Sequence, residues 1–330
     1  MATVEKKDWR DVTDANGKFN RKPSAFRSFI SADPSSPFPA EKDRYVLYIN
    51  LGCPWAHRTN IVRSLKGLED VIQLVILDGM DPENGWCWTG EAKDGAEKKD
   101  PLYGFSFLRD LYEKAEPGYI GKGGRFLVPC LWDKKKETIV SNESSEIIRM
   151  FYTEFDAFIP EQLRESSKGQ KGLFPEHLRN DIEGMNTWVY DNINNGVYKT
   201  GFATSQAAYE ENVFPLFKSL DRLEKHLGEP GHSPYLFGDH ITEADIRLYP
   251  TLIRFDIAYH TIFKCNLKMI RHDYPRLNEW LKRLYWDESE RTNGGAFKKT
   301  VLFRIYKWAY TKATKGQVVP VGPEVDIEPL

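Results

Sequence analysis

An α/β domain followed by an all-helical one is what this sequence predicts, and three observations predict it. Two runs of β-branched and aromatic residues flank a helical run, two further such runs joined by a charged turn lead into another helical run, and beyond about residue 160 only helical apolar spacing remains.

Residues 1–44 are polar and rich in turn formers, with SADPSSPFPAEKD leading to the first apolar run, and read as an extension with little regular structure. YVLYIN (45–50) and VIQLVI (71–76) have the content of buried strands, and AHRTNIVRSLKGL between them keeps helical spacing up to Gly67. That is a βαβ unit, whose two strands pair in parallel. RFLVPCLWD (125–133) and ETIVSNE (137–143) then read as strands joined by the charged turn DKKK, with SSEIIRMFYTEF following as a helix. A βαβ half followed by a ββα half is the thioredoxin arrangement.

Between the halves lies an insertion, 78–124, too long for an ordinary connection, in which FSFLRDLYEKA reads as a helix. GKGG at 121–124 lacks the Gly-Lys-Ser/Thr of a phosphate loop and reads as flexible loop. The second domain rests on four helical runs: HLRNDIEGMNTWVYDNINNGVY, SQAAYEENVFPLFKSLDRLEKHLG, TEADIRLYPTLIRFDIAYHTIF and YPRLNEWLKRLYWDE. The resulting division is an extension (1–44), an α/β domain (45–160), a helical domain (161–312) and a tail (313–330) whose VVPVGPEVDIEPL should wander over the surface.

Composition narrows the function. Apolar residues at 41% and charged residues at 28% are ordinary for a globular chain, and a net charge of −2 offers nothing that would attract nucleic acid or an anionic membrane. The four cysteines, Cys53, Cys87, Cys130 and Cys265, match neither a disulfide framework nor zinc-ligand pairs, which favours a reducing compartment. No apolar run approaches the roughly 18–20 residues of a membrane helix, and MATVEKKDWRDVT has no signal-peptide core, so the cytoplasm is the expected location.

LGCPWAHRTN (51–60) sets Cys53 at a strand-to-helix turn, where free backbone N–H groups and the positive end of the helix dipole favour a thiolate. Pro54 suits the first turn of that helix. In a Cys-x-x-Cys motif a second thiol resolves the mixed disulfide, but Ala56 stands at that position, so an external thiol must do so. His57, one turn on, reads as a packing or surface residue before a base. In LVPCL, Pro129 falls at a strand start opposite the thiol, where a proline can be held cis and leave the Val128 main chain to pair with an extended peptide ligand. SNES begins a helix, so Glu143 can accept from an amino group and Ser144 can hold a carboxylate or cap the helix. A lone thiolate, a pre-proline backbone and a Glu-Ser helix start are what a glutathione site requires. ITEADIRL adds Thr242 and Asp245 as a capping pair, similar to that of glutathione transferase helical domains.

Over residues 45–310 the chain resembles the glutathionyl-hydroquinone reductases, the Xi-class glutathione transferases, on CPWAHRTNIVRSLKGLE, ENGW, VPCLWDKKKETIVSNESSEIIRMF, NNGVYKTGFATSQ, ITEADIRLYPTLIRFDIAY and FKCN. Cys130 directly after the proline, and the region beyond Asp287, depart from the family pattern. The resemblance implies a thioredoxin-like N-terminal domain, an all-α glutathione transferase C-terminal domain and a homodimer. It also implies that Cys53 attacks the sulfur of a glutathionylated hydroquinone and that a second glutathione regenerates the thiol, with Trp86, Arg125, Val128, Glu143 and Ser144 holding glutathione. Tyr198 and Tyr259 occupy positions of family tyrosines that serve the leaving group, and a third falls near the last helix, at Tyr310 or Tyr306. The competing readings are omega-like thioltransfer or dehydroascorbate reduction, which need no phenol, and a noncatalytic binder of aromatic ligands.

Overall fold

The structure is a computed structural model that describes residues 12–21 and 23–330, so that part of the expected extension, residues 1–11 and 22, lies outside the described residues. Residues 23–164 form one compact unit, and 12–21 with 165–330 form a second.

The first unit is built on a four-stranded sheet. Strand β1 (Tyr45–Ile49) is buried along its whole length because it is central: β2 (Gln73–Ile76) pairs with it in parallel, and β5 (Cys130–Asp133) pairs with it antiparallel on its other side. Strand β6 (Thr138–Ser141) completes the order β2-β1-β5-β6. The crossover from β1 to β2 is helix α1 (Pro54–Leu65), with Pro54 in its first turn, Arg63 in its last, and the chain leaving through Gly67 at a φ of +61°. Helix α3 (Ser144–Thr153) follows β6 and packs along α1.

The insertion is structured. The hairpin of β3 (Gly79–Asp81) and β4 (Gly85–Cys87) turns on the Asp81 carboxylate, which accepts from the amides of Glu83 (3.0 Å) and Asn84 (2.7 Å), and helix α2 (Leu108–Ala115) lies beyond it. The extension has no helix or named strand in its described part, as expected, but it is bound to the sheet. Ser28 donates to the Val140 carbonyl at 2.9 Å and Asn142 donates to that of Phe26 at 3.0 Å, so this segment covers the β6 edge.

The strand expected over 125–133 begins only at Cys130. The Val128–Pro129 peptide is cis, and a proline cannot donate to a ladder, so pairing starts after it.

The second unit is helical, with α4 (Arg179–Val189), α5 (Gly196–Gly201), α6 (Gln206–His226), α7 (Glu243–Arg254) and further helices at Pro275–Trp286 and Phe303–Ala313. Two of the helical runs are not continuous α-helix: a π-helical turn at Tyr190–Asn194 separates α4 from α5, and another at Phe255–Tyr259 follows α7. The Thr242–Asp245 capping box is present, and the fully buried Asp245 carboxylate also accepts from the Leu236 amide (3.0 Å) and the Trp280 indole (2.8 Å). The tail does not wander. Arg271 donates to the Glu324 carbonyl (3.0 Å) and Trp286 to that of Ile327 (2.8 Å), pinning it to the helices. Among the described residues no helix is long and apolar enough to cross a membrane.

Candidate functional site

Cys53 is the N-cap of α1. Its backbone is extended (φ −78°, ψ 120°), its carbonyl receives the His57 amide at 3.0 Å, and its amide donates to the Asn50 carbonyl at 3.0 Å. Asn50, which the motif reading passes over, holds this turn: its side chain accepts from Gly52 N at 2.9 Å and donates to the Leu77 carbonyl at 2.7 Å, tying the loop after β1 to the end of β2. The thiol is 9% exposed and its Sγ lies 3.5 Å from the Val128 carbonyl. Two residues far apart in the chain therefore meet as the motif suggests. Val128 also leaves its amide without an acceptor among the described residues, so its main chain has a donor to offer, and Pro129 beside it has none.

What positions Val128 is the insertion. The Tyr112 hydroxyl donates to the Leu127 carbonyl (2.8 Å) and accepts from the Leu127 amide (3.1 Å) and from Asn142 Nδ2 (3.0 Å), and Tyr119 donates to the Arg125 carbonyl at 3.2 Å. Among the described residues, 125–128 have no sheet partner, and these two phenols hold their backbone instead. The fully buried Tyr112 hydroxyl is pushed well above its usual pKa by burial, so it stays protonated and donating.

Glu143, not Ser144, is the N-cap of α3: its carboxylate accepts from Ser145 N (3.1 Å) and Oγ (2.8 Å) and from Ser24 Oγ (2.9 Å). Burial works to raise its pKa, but those hydrogen bonds and the nearby Arg58 guanidinium outweigh it and hold the carboxyl below the usual range. Ser144 is buried as the first residue of the helix, where an amide has no intrahelical acceptor. Trp86 lies at the centre of β4, opposite Met80, half-buried, and Arg125 stands at the exit of the insertion. His57 is buried. The other cysteines are poor nucleophiles: burial pushes Cys87 up to about 11 and raises Cys130 and Cys265 further still.

In the second unit the three phenols come together. Tyr259 Oη lies 2.7 Å and Tyr198 Oη 3.5 Å from Tyr310 Oη. Of the two candidates it is Tyr310 that lies with Tyr198 and Tyr259, whereas Tyr306 turns its ring to the Arg254 guanidinium at 4.2 Å. The π-turns place two of the three, since Tyr259 ends one and Tyr198 follows the other. Burial raises Tyr259 and Tyr310 well above the usual pKa, so both stay protonated across the neutral range. Two cations stand by this cluster and escape sequence reasoning. Arg254 is fully buried, donates to the Pro250 carbonyl at 2.8 Å and works to lower the pKa of Tyr259 and Tyr310. Arg21, from the extension, lies 5.2 Å from the Tyr198 ring and donates to Asn195 Oδ1 at 2.8 Å. No spacing rule links residue 21 to residue 198, so no local signal could have found it.

Comparison with known proteins places these features. Residues 52–154 match the family model of the glutathione S-transferase N-terminal domain, and 206–283 that of the C-terminal domain. The chain is 45% identical to glutathione S-transferase omega-like 2 of Schizosaccharomyces pombe, over 99% of both chains. It is 49% identical to the glutathionyl-hydroquinone reductase YqjG of Escherichia coli, over 84% of this chain and 81% of that one. A glutathione-bound structure of YqjG superposes with a TM-score of 0.80 at 43% identity, covering 92% of this chain and 95% of that one. The Xi glutathione S-transferase of Phanerochaete chrysosporium superposes with a TM-score of 0.86 at 47% identity, over 96% of both.

Proposed function

The chain belongs to the Xi class of the glutathione S-transferases, and from that premise we propose that it is a glutathionyl-hydroquinone reductase with glutathione as co-substrate. The Cys53 thiolate attacks the glutathionyl sulfur of the conjugate. A sulfur–sulfur bond forms, the carbon–sulfur bond breaks, and its electron pair together with a proton completes the ring C–H of the released hydroquinone. A second glutathione thiolate then attacks the glutathionyl sulfur of the mixed disulfide, releasing glutathione disulfide and the Cys53 thiolate.

The observation that carries this reading is the lone thiol at the α1 N-cap, with Ala56 in place of a resolving cysteine and the other three thiols suppressed by burial. The remaining assignments rest on the family resemblance, and chemistry gives each a task. The Val128 main chain takes the peptide of glutathione, Glu143 its amino group, Ser144 and Arg125 its carboxylates, and Trp86 offers an apolar face. Tyr198, Tyr259 and Tyr310 serve the hydroquinone oxygen and supply the proton, and residues 161–312 form the substrate domain. A homodimer in the cytoplasm, engaged in detoxification of quinones, is part of the same proposal. Mass analysis of the products from a glutathionylated hydroquinone and free glutathione tests it: one hydroquinone and one glutathione disulfide per turnover are expected, and an intact conjugate sinks it.

One observation favours a second reading. The Schizosaccharomyces pombe relative, which matches over nearly the full length, bears the omega-like name, and an omega-like thioltransferase would use Cys53 in the same way while leaving the phenols idle.

A further inference from the structure

We infer that His226, Glu229 and His232 form a binding site for one divalent transition-metal ion of the zinc, cobalt and nickel kind. One ligand atom from each of the three lies within 4.8 Å of the other two. The backbone explains why. His226 is the last residue of α6, and from there the chain makes two successive tight turns, Glu229 N to His226 O (3.1 Å) and His232 N to Glu229 O (3.2 Å). The two turns, each closed between residues three apart, fold the chain back so that positions 226, 229 and 232 come together. Gly231, at a φ of +84°, permits the second turn.

A fourth donor faces the same place. His226 Nε2 lies 2.8 Å and His232 Nδ1 3.0 Å from the Leu236 carbonyl oxygen, and the two rings are 3.9 Å apart between centroids. Both are hydrogen bonds of ordinary length, and they hold the two imidazoles side by side at one carbonyl. Leu236 is fully buried and its amide is held by Asp245, so the carbonyl is a fixed point. A carbonyl oxygen only accepts, so His226 Nε2–H and His232 Nδ1–H donate to it; an ion takes the place of those two ring protons, each ring then keeping a proton on its other nitrogen, and the half-exposed rim admits it. Two imidazoles, a carboxylate and a carbonyl suit borderline ions better than magnesium or calcium. The C-terminal end of α6 adds the negative end of its dipole. The nearby cations are engaged elsewhere: Arg222 lies 4.2 Å from the Trp188 ring, and Arg276 pairs with Glu224 at 3.5 Å.

The test uses chelator-treated full-length protein and Co2+ as the probe, because its spectrum separates nitrogen and oxygen ligands from thiolate. One equivalent should bind with weak d–d bands and no sulfur charge-transfer band. His232→Gln, on the loop, should abolish that binding, and Glu229→Gln should weaken it by roughly tenfold. Circular dichroism confirms that each variant is folded, and these two decide the matter even if His226→Gln is not. No Co2+ bound to the wild type, binding unchanged in His232→Gln, or a sulfur charge-transfer band each overturns the site.

Discussion

In the first unit Cys53 opens the helix that follows β1, Val128 abuts the start of β5, and Glu143 opens the helix that follows β6. Each stands at the end of a sheet element, where the backbone is short of partners. In the second unit the cluster is made of side chains alone: Tyr198 and Tyr310, whose hydroxyls are 3.5 Å apart, lie 112 residues apart in sequence. The difference teaches that a thiol can be placed at a helix end by one strand and the turn after it, whereas a set of phenols from distant parts of the chain needs a core to hold its hydroxyls together.

The comparison breaks most sharply at Cys53. Cys53→Ser should abolish hydroquinone release and every thiol exchange together, because a hydroxyl cannot supply at neutral pH the anion that a thiol with a pKa of roughly 8.5 or below does. Retained turnover in that variant would falsify the role of the thiol.

The phenols should separate the two reactions. Tyr198→Phe, Tyr259→Phe and Tyr310→Phe keep ring packing, so each should slow hydroquinone release by roughly a hundredfold, about 3 kcal/mol of lost donor, while reduction of a small glutathione mixed disulfide hardly changes. Assaying both reactions on each variant decides it. Equal losses in the two would point to damaged packing, and no loss in either hands the protein to the thioltransferase reading.

Alkylation compares the thiols directly. Iodoacetamide below pH 7 should label Cys53 well before Cys87, which burial pushes up to about 11, and before Cys130 and Cys265, which are raised further. Peptide mapping that finds Cys87 modified at the same rate would refute activation by the helix end.

Tyr112→Phe probes the support rather than the site. It removes one donor and one acceptor from the Leu127 backbone, so about 1–2 kcal/mol of stability and a rise in KM for glutathione are expected, with kcat nearly unchanged. A fall in kcat alone would show that the insertion acts otherwise.

The smallest effect concerns Glu143. Its carboxyl is held below the usual 4.5 in the folded chain, so its contribution is present above that value and is lost as pH falls through the lower folded pKa. Glu143→Gln should cost about 1 kcal/mol at neutral pH and flatten the acid limb of the unfolding curve. An acid limb identical to that of the wild type would mean that another carboxylate sets it.

The sequence by itself determined the parts whose physics is local. β-branched runs marked β1, β2 and β6, Pro54 after Cys53 marked a helix start beside a thiol, and Thr242 with Asp245 marked a cap. A side chain there answers to residues within one turn, and such spacing is legible. The resemblance to a family, which also lies in the sequence, pointed to Tyr198 and Tyr259 and left Tyr306 and Tyr310 undecided. Only the tertiary structure separates those two, which lie four apart on one helix: the Tyr310 hydroxyl meets those of Tyr259 and Tyr198, while the Tyr306 ring meets Arg254. It likewise decided that the insertion holds residues 125–128, that Glu143 caps α3, that Arg21 reaches the Tyr198 ring, and that the tail is pinned by Trp286 and Arg271. In each case the partner is distant in the chain, and what brings it near is the packing of many apolar side chains at once, which no short stretch of sequence encodes.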